Sequence, residues 1–589
     1  MSDLKAKCST ITEALLELEG SSQYGARFVS RSGEATFYPY GEVLRRAKSV
    51  AGTLQSRGLL PGDRVAIVLP TSISFLDVFL GAQLAGGIPS ALYPPFRLGK
   101  LNEYFRRTER MLNRIGARFL VTDRRVKKLL GPAIQNVPSL EGILGAEKLL
   151  GQSPWSPVDV DPESPAFLQF SSGSTAEPKA VRVSHRNLLY NLEIMNGFFD
   201  SFDDEEARQS GGVCWLPLYH DMGLVGCLFI GLYHPGTVTY IGPDTFISKP
   251  RIWLQTLSRY KAVISPAPDF AYGLCLSKIK DEEMAGVDLS HWKIAFNGAE
   301  PINTDVMRRF SERFSRWGFQ KTTMTPVYGL AEAVLAVSFS DPFSPPSVTE
   351  FDQLRLASEG RAVPGEGRRI PSAGRPVPGI EIEIRDERDQ PLEEGGVGRI
   401  LVRGPSVTSE YFNDPESTRK VFRDGWLDTG DLGFFLKKEL YISGRVKDLI
   451  IIRGKNFSPQ EIEEVLAGVE GLRPGCSVAV STAFEGEGEQ LILLAERALN
   501  SQRPDQAITE EIAERVLSGV GLTPYHVQIL DPGTLPRTSS GKMRRGAALQ
   551  MFLSGQLAPP ETSKLGFFKH LARSQAALLG FRLKKKRRT

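Results

Sequence analysis

Apolar positions along the chain follow two alternating patterns. Short continuous apolar runs at 64–70 (RVAIVLP), 119–123 (FLVTD), 262–265 (AVIS) and 293–296 (KIAF) predict buried strands. The segments between them, such as 40–57 and 252–260, repeat their apolar residues at helical spacing. Unbroken apolar strands separated by helices predict mainly parallel sheets covered on both faces. From Ile380 the texture changes. Residues 381–386, 398–404 and 440–445 alternate polar with apolar, which predicts a small β-rich subdomain. Further strands at 478–480, 491–496 and 526–531, with helices at 509–519 and 541–554, predict a separate small α/β domain. The expected class is α/β, with a large N-terminal domain of several subdomains and a small C-terminal one. Pro- and Gly-dense stretches at 342–346 and 364–379 read as surface loops.

Length and charge refine this outline. A chain of 589 residues is several domains long. The most apolar stretch, Gly223 to Tyr233, is too short to span a bilayer and reads as a buried helix. The first 20 residues lack an apolar core, so no signal peptide is expected. Five cysteines in no close pair fit neither a disulfide framework nor a zinc knuckle, and point to a reducing cytoplasm. The net charge of +4 hides a division. Residues 561–589 hold nine Lys or Arg and one Glu, leaving 63 basic and 67 acidic residues, a net of −4, elsewhere. A mildly acidic body argues against nucleic acid as partner. The tail itself places Leu565, Phe568, Leu571, Ala572, Leu579 and Leu583 on one helical face before the basic run at 584–588. That pattern suits peripheral contact with an anionic membrane surface or an acidic partner, or else a solvated terminus.

The chemistry begins at 170–179 (FSSGSTAEPK). A strand feeds a loop of Ser171, Ser172, Gly173, Ser174 and Thr175 that ends at Lys179. Backbone N–H groups and hydroxyls in such a loop can surround phosphate oxygens that the lysine neutralises; taken alone, the segment reads equally as a solvent-exposed turn. The spacing is not that of a Walker A loop. Six further motifs follow in order: WLPLYHDMGL at 215–224, NGAEP at 297–301, YGLAE at 328–332, WLDTGDLG at 426–433, SGRVKDLIIIRG at 443–454 and LPRTSSGKMRR at 535–545. Together they resemble the motif set of the adenylate-forming superfamily across about 10–557. YPP at 93–95, the 216–224 string, and Ala331 where acyl-CoA synthetases usually carry Thr resemble fatty acyl-AMP ligases. So does an added segment at about 340–371, which includes FDQLRLASEG at 351–360.

The resemblance implies a reaction of a medium- or long-chain fatty acid with ATP and Mg2+ to give acyl-adenylate, followed by transfer to the phosphopantetheine arm of an acyl carrier protein. It implies a large domain at 1–446, a small mobile domain at 447–558 hinged at Lys447, and a basic tail at 559–589. Residues 171–179 are then expected on the phosphates and Glu332 on the magnesium. Asn297, Gly298, Ala299, Glu300 and Pro301, with Tyr328, Gly329 and Ala331, are expected at the adenine. Asp431 is expected on the ribose hydroxyls and Arg445 on ribose or phosphate. His220 is expected in the acyl region, where Gly223, Gly226 and Gly231 either open a tunnel or allow close helix packing. Lys542 is the expected catalytic cation. Ala176 and Ala180 stand where the family usually carries glycine, which puts the loop's mobility in question. The rival readings are a long-chain acyl-CoA synthetase and a non-catalytic ligand-binding relative. The joint presence of Lys179, Glu332, Asp431, Arg445 and Lys542 speaks against the second.

Overall fold

The computed structural model describes residues 6–95, 101–171, 178–199, 205–452, 455–483, 489–538, 541–559 and 573–579. A nine-stranded sheet forms the centre. Its order is Arg375–Pro376, Ala336–Phe339, Met324–Gly329, Ile294–Asn297, Ile264–Ala267, Gly212–Cys214, Val238–Ile241, Gly25–Val29 and Ala35–Pro39. The strands from Met324–Gly329 to Gly25–Val29 run parallel, and antiparallel pairs close both edges. A second, four-stranded parallel sheet is ordered Ile88–Ala91, Arg64–Val68, Phe119–Thr122, Gly142–Gly145. Its strands are almost wholly buried, as continuous apolar runs require. The hairpin of Pro165–Phe170 and Ala180–Ser184 stands between these sheets and carries the Ser171–Lys179 loop at its tip. Ala180 is buried at the start of the second hairpin strand, where extended backbone needs no glycine. Residues 172–177, and with them Ser172, Gly173, Ser174, Thr175 and Ala176, lie outside the described residues.

The β-rich subdomain is a five-stranded antiparallel sheet built on Trp426–Leu436, which pairs with Gly398–Arg403 and Glu439–Arg445. The C-terminal unit has its own core of Ile450, Ile462, Leu493, Ile508 and Val516, beneath Leu472–Ala483, Glu489–Arg497 and His526–Leu530. Its last helix, Arg545–Leu553, starts four residues later than the sequence suggests, because 541–544 form the loop that carries Lys542. Among the described residues no helix is long and apolar enough to cross a membrane. The 223–233 stretch is buried and helical, with one wide turn over Leu224–Phe229.

Residues 364–379 are not simply a surface loop: Gly367–Pro371 pairs antiparallel with Val348–Asp352. That hairpin is held by Phe351, which is fully buried with its ring edge-on to Phe434 and Tyr441 at 5.0 and 5.5 Å. Leu354, on the short Gln353–Ser358 helix that follows, is 65% exposed. The hairpin also reaches the small domain, with Arg368 3.9 Å from Glu461.

Of the tail, the Arg573–Leu579 segment is helical and packs on the large domain. Gly131 N–H donates to Ser574 Oγ at 2.8 Å, and Ala577 and Leu578 turn inward against the second sheet's core. A Cβ at Gly131 would lie 2.1 Å from the Ser574 carbonyl oxygen, so only glycine admits this approach. Leu579, expected on the apolar face, is instead exposed. Leu565, Phe568, Leu571, Ala572, Leu583 and 584–588 lie outside the described residues.

Candidate adenylation site

The site is built where strand ends and loops of the two sheets meet the β-rich subdomain. Ser171 N–H donates to the Lys179 carbonyl at 3.1 Å, closing the base of the phosphate-type loop. The Lys179 ammonium lies 4.6 Å from the centre of the Tyr411 ring, a cation–π contact. The Tyr411 hydroxyl donates to Glu332 Oε1 at 2.8 Å. Lys179, Tyr411 and Glu332 therefore form one connected unit. Burial lowers the Lys179 pKa, with nearby Lys447 acting in the same direction. Burial also raises that of Glu332, against the stabilising hydrogen bond from Tyr411. Tyr411 was not found from the sequence. It stands outside the recognised motifs, and only the fold brings it between the lysine and the glutamate.

Asp431 and Arg445 face each other across the Trp426–Leu436 and Glu439–Arg445 pair. Arg445 Nε donates to Asp431 Oδ1, and the Tyr328 hydroxyl donates to Asp431 Oδ2 at 2.7 Å. The adjacent aspartate raises the Arg445 pKa beyond its ordinary value. Tyr328 is nearly buried, so its hydroxyl anchors the carboxylate in addition to any stacking its ring provides.

The 297–301 motif divides. Asn297, expected beside adenine, is fully buried and donates through Nδ2 to Asp269 Oδ1 at 3.0 Å, beneath the site. Gly298 permits a close approach, since a Cβ there would meet the Val327 carbonyl oxygen at 2.7 Å. Ala299 adopts a left-handed backbone (φ 67°), a strained setting for alanine in a turn that re-aims the chain. Glu300 accepts from Phe270 N–H at 2.8 Å and faces Lys542. Pro301 is exposed.

Lys542 comes from the small domain. Its hairpin is fixed by Thr538 N–H to the Lys542 carbonyl at 2.7 Å and Lys542 N–H to Thr538 Oγ1 at 3.0 Å. Arg537 braces the turn with hydrogen bonds to the Gly541 and Gly475 carbonyls at 2.8 and 2.9 Å. Enclosure in the cleft lowers the Lys542 pKa, while Glu300 and Asp221 pull it back up. Asp221 is buried, with its Oδ1 2.5 Å from Nδ1 of its neighbour His220. Although burial opposes it, His220 and Lys542 together hold its carboxyl below the ordinary aspartate value. Asp221 and Glu300 were thus undervalued by the sequence reading: they are the anions that receive the lysine. Gly223 is explained by packing, since a Cβ there would sit 2.3 Å from the Pro217 carbonyl oxygen. Gly231 is likewise closed off by Val238 and Tyr40. Gly226 is partly exposed and faces the end of the Leu335 side chain. Ala331 is buried, and Gly329 lies against the Leu335 carbonyl.

One buried lysine aimed from a second domain at a carboxylate-bounded cleft, with a second lysine and a glutamate at the other end, suits charge stabilisation of a polyphosphate reaction. Residues 20–412 match the AMP-binding enzyme family. The chain belongs to this family. It is an ATP-using, adenylate-forming ligase of the fatty acyl-AMP ligase type. A solved structure from a study of fatty acyl-adenylate ligases from E. coli and L. pneumophila superposes on this ligase with a TM-score of 0.87 and 33% identity, covering 93% of this chain and 98% of the other. A putative acyl-CoA synthetase of Caulobacter vibrioides is 33% identical over 93% of this chain and 96% of its own length. The medium-chain-fatty-acid–[acyl-carrier-protein] ligase TtuA of Teredinibacter turnerae is 30% identical over 88% of this chain and 89% of its own.

Proposed function

We propose that this ligase activates a medium- or long-chain fatty acid and delivers the acyl group to the phosphopantetheine thiol of an acyl carrier protein. The supporting observation is Lys542, held between Glu300 and Asp221 in the same cleft as the Lys179–Tyr411–Glu332 unit. In the first step a carboxylate oxygen of the fatty acid attacks the α-phosphorus of ATP. The bond from that phosphorus to the bridging oxygen breaks, and pyrophosphate leaves with the electron pair. Lys542 stabilises the charge that builds on the α-phosphate and the attacking carboxylate. Ser171–Lys179 hold the β- and γ-phosphates, and Asp431, oriented by Arg445 and Tyr328, accepts the ribose hydroxyls. Gly298–Pro301 with Tyr328, Gly329 and Ala331 border the adenine. His220 and Gly226 line the acyl side.

Glu332 fits a magnesium ion. It is a single hard carboxylate oriented by Tyr411, and Mg2+ is commonly held by one or two carboxylates together with substrate phosphates. When bound, the ion offsets phosphate charge. Among the described residues no cluster of three or more metal-ligating side chains is found. In the second step the carrier thiol attacks the acyl carbonyl, loses its proton, and AMP leaves. We divide the chain into a large domain to residue 446, a small domain at 447–558 that turns about Lys447, and the tail.

The test is ATP–pyrophosphate exchange over a series of fatty acids, followed by thioester analysis with CoA or a holo carrier as acceptor. Exchange dependent on fatty acid, with thioester formed on the carrier and little on CoA, is the expected result. Efficient acyl-CoA formation would favour the synthetase reading instead.

A further inference from the structure

Residues 101–130 carry nine Arg or Lys and three Asp or Glu, a concentration that the adenylation chemistry does not use. The Leu101–Ile115 helix buries Leu101, Tyr104, Phe105, Thr108, Met111, Leu112 and Ile115. Its opposite stripe bears exposed Arg106 and Arg110, one helical turn apart. At the far end of the helix the basic residues are consumed locally: Arg114 pairs with Asp414, and Arg118 pairs with Asp63 and Glu141. At the near end Arg106 is exposed. Here the helix follows the Ile88–Ala91 strand and precedes the parallel Phe119–Thr122 strand, so its first turn stands at the carboxyl edge of the four-stranded sheet. The Arg124–Lys127 turn leaves Phe119–Thr122 at that same edge, presenting exposed Arg124, Arg125 and Lys128. The docked tail helix adds Arg573, next to Ser574 on Gly131.

This edge is the mouth of the site. The Arg107 guanidinium lies 5.5 Å from the centre of the Tyr93 ring, and Tyr93 is 6.4 Å from the ring of Tyr219, the neighbour of His220. Glu103, in the first turn, accepts from Arg544 at 2.8 Å, two residues beyond Lys542. A basic ledge thus runs from the edge of the cleft out over the surface.

We propose that this ledge, formed by Arg106, Arg124, Arg125, Lys128 and Arg573, is the docking surface for a small acidic carrier domain. The proposal rests on the carrier-acceptor reading above. Complementary charge steers such a domain onto the edge from which its phosphopantetheine arm enters beside Tyr93. A membrane of anionic lipid would also be attracted by these charges, but the ledge adjoins Tyr93 and the Glu103–Arg544 pair beside Lys542, where a carrier must deliver its thiol.

The experiment uses the full-length enzyme and the triple variant Arg106→Glu, Arg125→Glu, Lys128→Glu, with the corresponding triple Gln variant as a gentler version. Three activities are measured: ATP–pyrophosphate exchange, thioester formation on a purified holo acyl carrier protein, and thioester formation on free phosphopantetheine. The expected result is unchanged exchange and unchanged use of free phosphopantetheine. KM for the carrier should rise about tenfold or more in the Glu variant and less in the Gln variant. The wild-type kcat/KM for the carrier should also fall as salt is raised, and the variant's should not. Wild type and variants that acylate the carrier with equal KM overturn the docking surface and leave the carrier reading standing. A wild type that forms adenylate but acylates no carrier overturns both. Loss of binding to phosphatidylglycerol vesicles with carrier kinetics unchanged assigns the ledge to a lipid surface and overturns the proposal as stated.

Discussion

The two halves of the site are held by different physics. Asp431, Arg445 and Tyr328 sit on strands, and each polar tip is satisfied by a neighbour within the large domain. Lys542 sits on a hairpin loop of the other domain and meets the site mainly through charge, facing Glu300 and Asp221 across the interface. The strand-borne half keeps its geometry whatever the small domain does. The lysine half exists only when the domains are apposed, and its worth depends on the protonation of a single amine. Substitutions should therefore separate cleanly, with nucleotide affinity on one side and the rate of adenylate formation on the other.

The largest effect is expected at Lys542. Lys542→Ala should lower ATP–pyrophosphate exchange by a few hundredfold, on the order of 3–4 kcal/mol of transition-state stabilisation, while ATP binding by calorimetry stays close to wild type. A mutant that exchanges at the wild-type rate would remove the lysine from the chemistry. Next comes Asp431→Ala, which should weaken ATP binding. The loss is about 1.5–3 kcal/mol for each charged hydrogen bond to the ribose, with a milder change of about 0.5–1.5 kcal/mol for Tyr328→Phe. Equal dissociation constants for all three proteins would show that the strand-borne half does not bind ribose.

The pH dependence sharpens the contrast. The Lys542 pKa lies below the ordinary 10.5 because of its enclosure, so the cation is lost, and exchange falls, as pH rises through that lowered value. Glu300 raises this pKa. Glu300→Gln should move the alkaline limb of the exchange profile to lower pH, and a limb that moves up or stays in place contradicts the contact. Asp431→Ala should move it much less.

The smallest effect concerns Asp269 beneath the site. Burial raises its carboxyl from 3.8 to about 8, and the adjacent Asn297 Oδ1 is buried without a hydrogen-bond donor. From about pH 4 to 8 the folded chain then keeps a proton that the unfolded chain has released, so this contribution to stability is lost as pH rises through 8. Thermal unfolding of wild type should decline across that range. Asp269→Asn, always neutral and able to donate to Asn297 Oδ1, should flatten the decline by a few degrees. Parallel curves for the two proteins would place the titrating group elsewhere.

The legible part of this molecule was whatever repeats or clusters locally. Runs such as RVAIVLP and FLVTD became the Arg64–Val68 and Phe119–Thr122 strands because continuous burial leaves a one-dimensional trace. The loop ending at Lys179 and the lysine of 535–545 were legible for the same reason. What the sequence concealed is what only three-dimensional neighbours decide. Tyr411 is an isolated tyrosine until the fold inserts it between Lys179 and Glu332. Asn297 shares a motif with Glu300 but is buried as the last residue of the Ile294–Asn297 strand, whereas Glu300 lies beyond the left-handed Ala299 that re-aims the chain. Residues 367–371 look like a turn by composition and become a strand because Val348–Asp352 offers a partner.

The tail's seat on Gly131 sets a limit on any swing of the 447–558 unit. The polypeptide joins that domain to the large one at 445–447, and the Ser574–Gly131 contact joins them a second time. The chain is thereby closed into a ring with one covalent and one reversible link. Docking within a single molecule does not weaken on dilution, so one hydrogen bond and two apolar side chains suffice at an effective concentration that a free peptide reaches only in the millimolar range. Between Pro559 and Arg573 the backbone can extend no further than about 50 Å, at up to roughly 3.6 Å per residue. Rotations within that reach leave the ring intact, and larger ones must open it. Gly131→Val, which removes the seat without touching the site, separates the two classes of movement.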